Sequence, residues 1–290
     1  MRLLDTIKSS SDCLENSGIA DPLVDAELLV LHAAGLDRLR AYMDNPVADR
    51  RLLSRINRLI KRRAGGEPLQ YIIGHVDFLG LEIRVGKGVL IPRPETELLV
   101  EEAINTVKSP EKPHSPFTLN HSHSFLDLCT GSGCIALALA REFPDAKVYA
   151  TDVSAKALKY AKVNADLNGI NNVTFLKGPL FAPAKEQMPF DLITANPPYI
   201  LQSDIAGLQR EVRDWEPVEA LDGGQDGLDF YREILSKASD HLKEHGSILL
   251  ELGFGQSEAV KEIAERSGFQ CISITRDFAG IDRVLKAGKQ

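Results

Sequence analysis

Near the start of the chain, apolar positions recur at helical spacing. Val24, Leu28 and Leu31 follow Pro22, with Leu29 and Val30 widening the stripe, and Leu52, Leu53, Ile56, Leu59 and Ile60 repeat the pattern. This predicts a helical domain over residues 1–75, whose last long helix stops at Gly65-Gly66 and Pro68. The period then changes. Leu81, Ile83 and Val85 alternate with Glu82 and Arg84, and the turn residues Gly86-Lys87-Gly88 lead to a second short apolar run at 89–91. A β-hairpin linker over residues 76–94 is expected, stopped by Pro92 and Pro94. Glu95, Glu97, Glu101 and Glu102 then open a helix whose N-terminal dipole favours acids.

From residue 125 onward, short apolar runs alternate with helical stretches. The runs are 125–129, 147–153, 173–176, 190–195, 247–252 and 271–274, and the helical stretches are 135–143, 155–168, 227–242 and 257–266. Such alternation predicts an α/β fold over residues 95–290, with a mostly parallel sheet and helices on both faces. Ligands of such sheets sit at the carboxyl ends of the strands. Residues 108–124 are polar and rich in Pro and Ser, and carry His114, His121 and His123. No acid or cysteine stands at fixed spacing with these histidines, so a loop is expected and no metal site.

Composition narrows the class. With 290 residues, 43% of them hydrophobic and 26% charged, the chain is of ordinary globular make-up and long enough for two domains. It has no apolar run of about 18 residues, so no transmembrane helix is expected. The N-terminus has charges among its apolar residues and no signal-peptide core, so a cytoplasmic location is expected. A net charge of −7 disfavours general nucleic-acid binding. Arg51, Arg55, Arg58, Lys61, Arg62 and Arg63 form a local basic stripe, expected as a solvated helix surface, with docking of an acidic or nucleic-acid partner as the alternative. None of the four cysteines is in C-x-x-C spacing, so reduced thiols are expected.

Two segments carry chemistry. Asp127-Leu128-Cys129-Thr130-Gly131-Ser132-Gly133 follows a strand and opens a helix, where glycines allow close ligand approach and free N–H groups bind anions. Asp152 ends the next strand, 21 residues beyond Gly131, the spacing at which a carboxylate accepts from both hydroxyls of a ribose. Ile135 and Ala136 break the dinucleotide pattern, so a smaller nucleoside such as S-adenosylmethionine (SAM) is favoured over a pyrophosphate. The second segment, Asn196-Pro197-Pro198-Tyr199, ends another strand. Its prolines fix the backbone, and the Asn196 side chain and the Pro197 carbonyl are acceptors for a planar NH2 group. Tyr199 offers a face for stacking. Together they suit an amide or exocyclic amine aimed at a methyl donor, with no metal.

With these motifs, other segments closely resemble the release-factor glutamine N5-methyltransferases, the PrmC or HemK family. They are Pro68-Leu-Gln-Tyr71-Ile-Ile-Gly74, Phe78-x-Gly80, Leu90-Ile-Pro-Arg-Pro-Glu-Thr-Glu97, Trp215-Glu-Pro217-x-x-Ala-Leu-Asp-Gly-Gly224 and Asp226-Gly-Leu228, with Glu251 and Gln256. The resemblance covers nearly the whole chain. It implies a Rossmann-like class I SAM methyltransferase sheet, with a small N-terminal helical domain that docks the release factor, joined by the hairpin. The implied reaction moves the methyl of SAM to the glutamine side-chain nitrogen in the Gly-Gly-Gln motif of class 1 peptide release factors, leaving S-adenosylhomocysteine. By the same resemblance, Cys129 to Gly133, Asp152, Leu180 and Asn196 contact SAM, Leu180 beside the adenine. Asn196 to Tyr199 clamp the substrate amide. Cys129 replaces a frequent glycine, with modest effect expected, and Pro179 replaces a frequent Asp at the adenine edge. A monomer, with no membrane and no direct nucleic-acid partner, is expected.

Two other readings use the same residues. An adenine N6 or guanine N2 methyltransferase would clamp an exocyclic amine in place of the amide. A non-catalytic SAM-binding or ribosome-associated module would not need Asn196. Gly223-Gly224-Gln225 repeats the substrate motif within the chain and is expected to be a loop, with self-methylation the remote alternative.

Overall fold

The computed structural model describes residues 1–109 and 122–289. His114 and His121 lie outside them, while His123 stacks on Phe125 with ring centroids 5.7 Å apart. In order, the elements are α1 (Leu3–Glu15), α2 (Pro22–Ala34), α3 (Arg38–Asp44), α4 (Arg50–Ala64), α5 (Leu69–Ile73), β1 (His75–Phe78), β2 (Leu81–Arg84), α6 (Pro94–Lys108), β3 (Ser124–Leu128), α7 (Cys134–Glu142), β4 (Lys147–Asp152), α8 (Ala155–Leu167), β5 (Val173–Lys177), β6 (Phe190–Ala195), α9 (Arg210–Trp215), α10 (Asp229–His241), β7 (Leu242–Glu251), α11 (Ser257–Arg266), β8 (Gln270–Arg276) and β9 (Asp282–Gly288). They divide into two compact units, Met1–His75 with Leu208–Glu216, and Val76–Gly207 with Pro217–Gln290. No described helix is long and apolar enough to cross a membrane.

In the first unit, Leu3, Ile7, Leu14, Leu29, Ile56 and Leu69 meet in one apolar cluster. Asp37 and Asp49 cap α3 and α4, accepting from Arg40 N and Leu52 N. Along α4, Arg51, Arg55, Arg58 and Lys61 are exposed. Arg63 departs from the expected basic face. It is buried, its guanidinium held by Asp25 at 2.5 Å and by Glu211 of α9. Arg62 pairs with Glu67.

The second unit holds a seven-stranded sheet in the order β5-β4-β3-β6-β7-β9-β8. Its first five strands pair in parallel, and β9 runs antiparallel to both β7 and β8. The α/β expectation holds: a mostly parallel sheet whose central strands β3 and β6 are largely buried, with helices packed on it. Tyr231, Ile234 and Leu235 of α10 and Val260 of α11 share one core with Leu128, Ile193, Ile248 and Leu250. The chain leaves β3 towards β4 and β5 and returns to β6 and β7 on the other side, so strand order reverses between β3 and β6. That reversal opens a crevice at the carboxyl ends.

Two expectations are corrected. β9 was not foreseen; its charged, short sequence hides a strand that completes the edge between β7 and β8. The hairpin pairs β1 with β2, and residues 89–91 form no strand. Leu79 and Gly80 turn with φ of +50° and +73°, the sign a two-residue hairpin turn needs. The other edge of β2 is taken by side chains of the α8 end: Asn168 and Asn164 accept from Glu82 N and Arg84 N and donate back to the same residues' carbonyls. Val89 and Ile91 are buried.

Candidate active site

A cavity of about 540 Å³ lies at the reversal point, within the second unit. It gathers Cys129 to Ser132, Asp152, Leu180, Asn196 and Pro198 from stretches distant in sequence. Gly133, Pro197 and Tyr199 stand outside its lining.

The β3–α7 turn forms one wall. Cys129, Gly131 and Gly133 have φ of +56°, +55° and +85°. At Gly133 a Cβ would also stand 3.0 Å from the Ala161 methyl of α8, so both the turn and the helix approach require glycine. Cys129 occupies the left-handed region without being glycine, which costs about 1–2 kcal/mol. The sequence expectation of a modest effect took account of size and missed this backbone cost. Leu180, also at the wall, has φ +41°.

Asp152 ends β4 with each carboxylate oxygen already oriented: Gly131 N donates to Oδ2 and Ser154 N to Oδ1, both at 2.8 Å. Each oxygen keeps lone-pair capacity toward the cavity. Burial raises the Asp152 pKa, and the two backbone donors oppose the rise. Thr151 also lines the cavity, and its buried Oγ1 has no partner among the described residues. A hydroxyl-bearing nucleoside fits this wall through the Asp152 carboxylate, whose oxygens keep capacity to accept beside a tight glycine turn.

Beneath the turn lies Asp127, fully buried. Its Oδ2 accepts from Thr130 Oγ1 at 2.6 Å and its Oδ1 from Thr194 Oγ1 at 2.9 Å, so one carboxylate ties the glycine turn to β6. Burial pushes its pKa up to about 7, against the pull of these bonds. Burial likewise pushes the Cys134 thiol up to about 12, which makes it a poor nucleophile.

Asn196 follows β6 on the opposite wall. Its Nδ2 donates to Thr96 Oγ1 of α6 at 3.2 Å, and Thr96 Oγ1 donates to Glu251 Oε2 at the end of β7 at 2.7 Å. Tyr199 turns away from the cavity. Its hydroxyl donates to Glu251 Oε1 at 3.3 Å, and its carbonyl accepts from Gln256 Nε2 at 2.9 Å. Tyr199 is half-buried and packs against the core. Glu251 is 2% exposed, and burial pushes its pKa up to about 7. The Thr96 and Tyr199 hydroxyls and Arg283 oppose that rise, while Glu95 adds to it. The Gly223-Gly224-Gln225 segment explains itself by packing. A Cβ on Gly223 would stand 2.7 Å from Tyr199 Cα, and Gly223 N donates to Ile200 O, so these glycines floor the Asn196–Tyr199 segment while Gln225 is exposed.

Asp127 opens the candidate glycine segment, but no role was expected of it. Thr96, Glu251 and Gln256 were not singled out as site residues by sequence; they stand in the segments that carry the family resemblance, the only sequence signal for them.

Comparison with known proteins agrees with this geometry. A family model described as PrmC N-terminal domain matches residues 5–74, and one described as Methyltransferase small domain matches residues 114–210. A release factor glutamine methyltransferase of Thermodesulfovibrio yellowstonii is 47% identical over 90% of this chain and 90% of its own. One of Geobacter sulfurreducens is 43% identical, over 94% and 91%. Among solved structures, a methyltransferase from Pyrococcus furiosus shares the fold, with a TM-score of 0.51 at 22% identity over 81% of this chain and 98% of that one.

Proposed function

The chain belongs to the release factor glutamine methyltransferases, SAM-dependent enzymes, and from that membership we propose that it methylates the side-chain nitrogen of the glutamine in the Gly-Gly-Gln motif of class 1 peptide release factors. The observation that carries the reading is Asn196 at the cavity wall. With Nδ2 committed to Thr96, its Oδ1 is the group free to accept from a substrate NH2.

When bound in the cavity, SAM would supply an electrophilic methyl: the amide nitrogen would bond to it as the C–S bond breaks with its pair to sulfur, and the proton the nitrogen loses would pass to solvent. The residues divide the remaining work. Asp152 accepts from the ribose hydroxyls, its own geometry set by Gly131 N and Ser154 N. The turn from Cys129 to Gly133 shapes the cavity wall beside the methionine end, with Thr130 N, Gly131 N and Gly133 N already bonded within the chain, and Leu180 covers the adenine, with Pro179 where an acid is frequent in the family. Asn196 Oδ1 and the Pro197 carbonyl accept the two amide hydrogens. This pushes electron density onto a nitrogen whose lone pair is otherwise delocalised, and aims it at the methyl. Pro198 closes the wall, and Tyr199 anchors the segment through Glu251 and Gln256. Residues 1–75 serve as the docking domain for the release factor, 76–94 as the linker and 95–290 as the methyltransferase domain.

The test is transfer of labelled methyl from SAM to a purified release factor, beside a version carrying Gly-Gly-Ala. Label on the first alone is expected. Label on neither, with RNA or DNA labelled instead, replaces the substrate with an exocyclic amine.

A further inference from the structure

The buried carboxylate of Glu251 bonds to Tyr199 directly and reaches Asn196, at the other end of the segment, through Thr96. β6 pairs with β7 so that Ala195 stands opposite Leu250, and the next residue on each strand is Asn196 and Glu251. Thr96, from α6, fits between them.

The direction of this hydrogen-bond chain follows from which groups can donate. The Thr96 hydroxyl donates to Glu251 Oε2, and above the Glu251 pKa of about 7 that direction is the only one open, because an ionised carboxylate only accepts. Thr96 Oγ1 then has only lone pairs to offer, and its second partner must be a donor. On Asn196 the donor is Nδ2, which leaves Oδ1 for the ligand. Glu251 Oε1 meanwhile receives the Tyr199 hydroxyl, and Tyr231 Oη of α10 donates at 2.8 Å to the Glu251 backbone carbonyl, which holds the chain at that point. We propose that Glu251 and Thr96 are positioning residues that set which way round the Asn196 amide faces the substrate. This rests on the reading that the clamp accepts from an NH2 group.

Glu251→Gln makes the idea sharp, because it preserves shape and removes the acceptor-only end. A glutamine NH2 can donate to Thr96 Oγ1, the threonine hydrogen can then turn to Asn196 Oδ1, and the amide presents Nδ2 to a substrate that also carries NH2. Two donors facing each other do not bind. Thr96→Val breaks the chain in the middle, and Thr96→Ser keeps the hydroxyl.

The experiment compares wild type with these three variants by kcat and KM on a release factor, by S-adenosylhomocysteine affinity, and by the 15N-resolved side-chain NH2 resonances of Asn196 with S-adenosylhomocysteine bound. Glu251→Gln and Thr96→Val are expected to lower kcat about 10²-fold, as loss of one oriented polar group typically does. KM for SAM and product affinity are expected to stay near wild type. Thr96→Ser is expected to recover most of kcat. The Asn196 NH2 signals should show a hydrogen-bonded shift in wild type and Thr96→Ser and lose it in the other two. Should Glu251→Gln fail to fold, Thr96→Val against Thr96→Ser decides alone. Asn196 resonances or kcat unchanged in Thr96→Val would overturn the proposal. A Glu251-dependent Asn196 signature in an enzyme that labels no release factor would support the positioning role and sink the substrate reading.

Discussion

On the wall made by β3, α7 and β4, backbone does the holding: Gly131 N and Ser154 N orient Asp152, and positive φ at Gly131 and Gly133 lets the turn close. On the wall made by β6 and β7, side chains do it, through Asn196, Thr96, Glu251 and Tyr199. The first arrangement gathers residues within one β–α–β stretch. The second draws on positions 96, 196–199 and 251, set beside one another only by the sheet. A site that must bind a common cofactor is served by a local turn. A site that must orient one amide needs acceptors and donors with fixed polarity, and a relay to a buried carboxylate supplies it. Asp127 stands between the two, one oxygen on Thr130 and one on Thr194.

The largest effect on the cofactor wall is expected from Asp152→Ala. Losing hydrogen bonds to a charged acceptor costs about 1.5–3 kcal/mol, so S-adenosylhomocysteine affinity measured by calorimetry should fall about 10- to 100-fold. Unchanged affinity would show that the ribose is held elsewhere.

Asp127→Asn sharpens the link between the walls. Burial raises the folded pKa from 3.8 to about 7, so the group's contribution to stability is complete below the unfolded value and is lost as pH rises through about 7. Between pH 5 and pH 8 the wild-type Tm should therefore fall more than that of Asp127→Asn. Parallel curves would mean that Asp127 does not titrate in this range.

The smallest effect is at Cys129. Replacing it by glycine relieves a left-handed residue worth about 1–2 kcal/mol, offset by glycine's greater unfolded entropy of about 0.5–1 kcal/mol. Scanning calorimetry should show a Tm higher by about 2 °C. A lower Tm would show that the thiol's packing against the core outweighs the strain.

What was legible in the sequence follows the same division. The helices from α6 to α11 that carry a strong apolar period, the parallel strands and the glycine turn with Asp152 could be read because their signals are local. β9 could not, since its seven residues are partly charged and its place depends on β7 and β8. The hairpin register was misread because the edge of β2 is satisfied by Asn164 and Asn168, some 80 residues away. Arg63 was placed with the surface cations because its partners, Asp25 and Glu211, are invisible to a helical period. Asn196 to Tyr199 was conspicuous, while Thr96 and Glu251, which orient it, have no motif of their own.

Separability of the two walls is the central claim, and Asn196→Ala tests it most directly in one paired measurement. Single-turnover methyl transfer at saturating SAM is followed alongside S-adenosylhomocysteine binding to the same sample. The account predicts binding within about threefold of wild type and transfer slower by at least about 10²-fold. Binding and transfer falling together would contradict it, placing Asn196 in the cofactor wall and leaving the orientation of the substrate amide to another group.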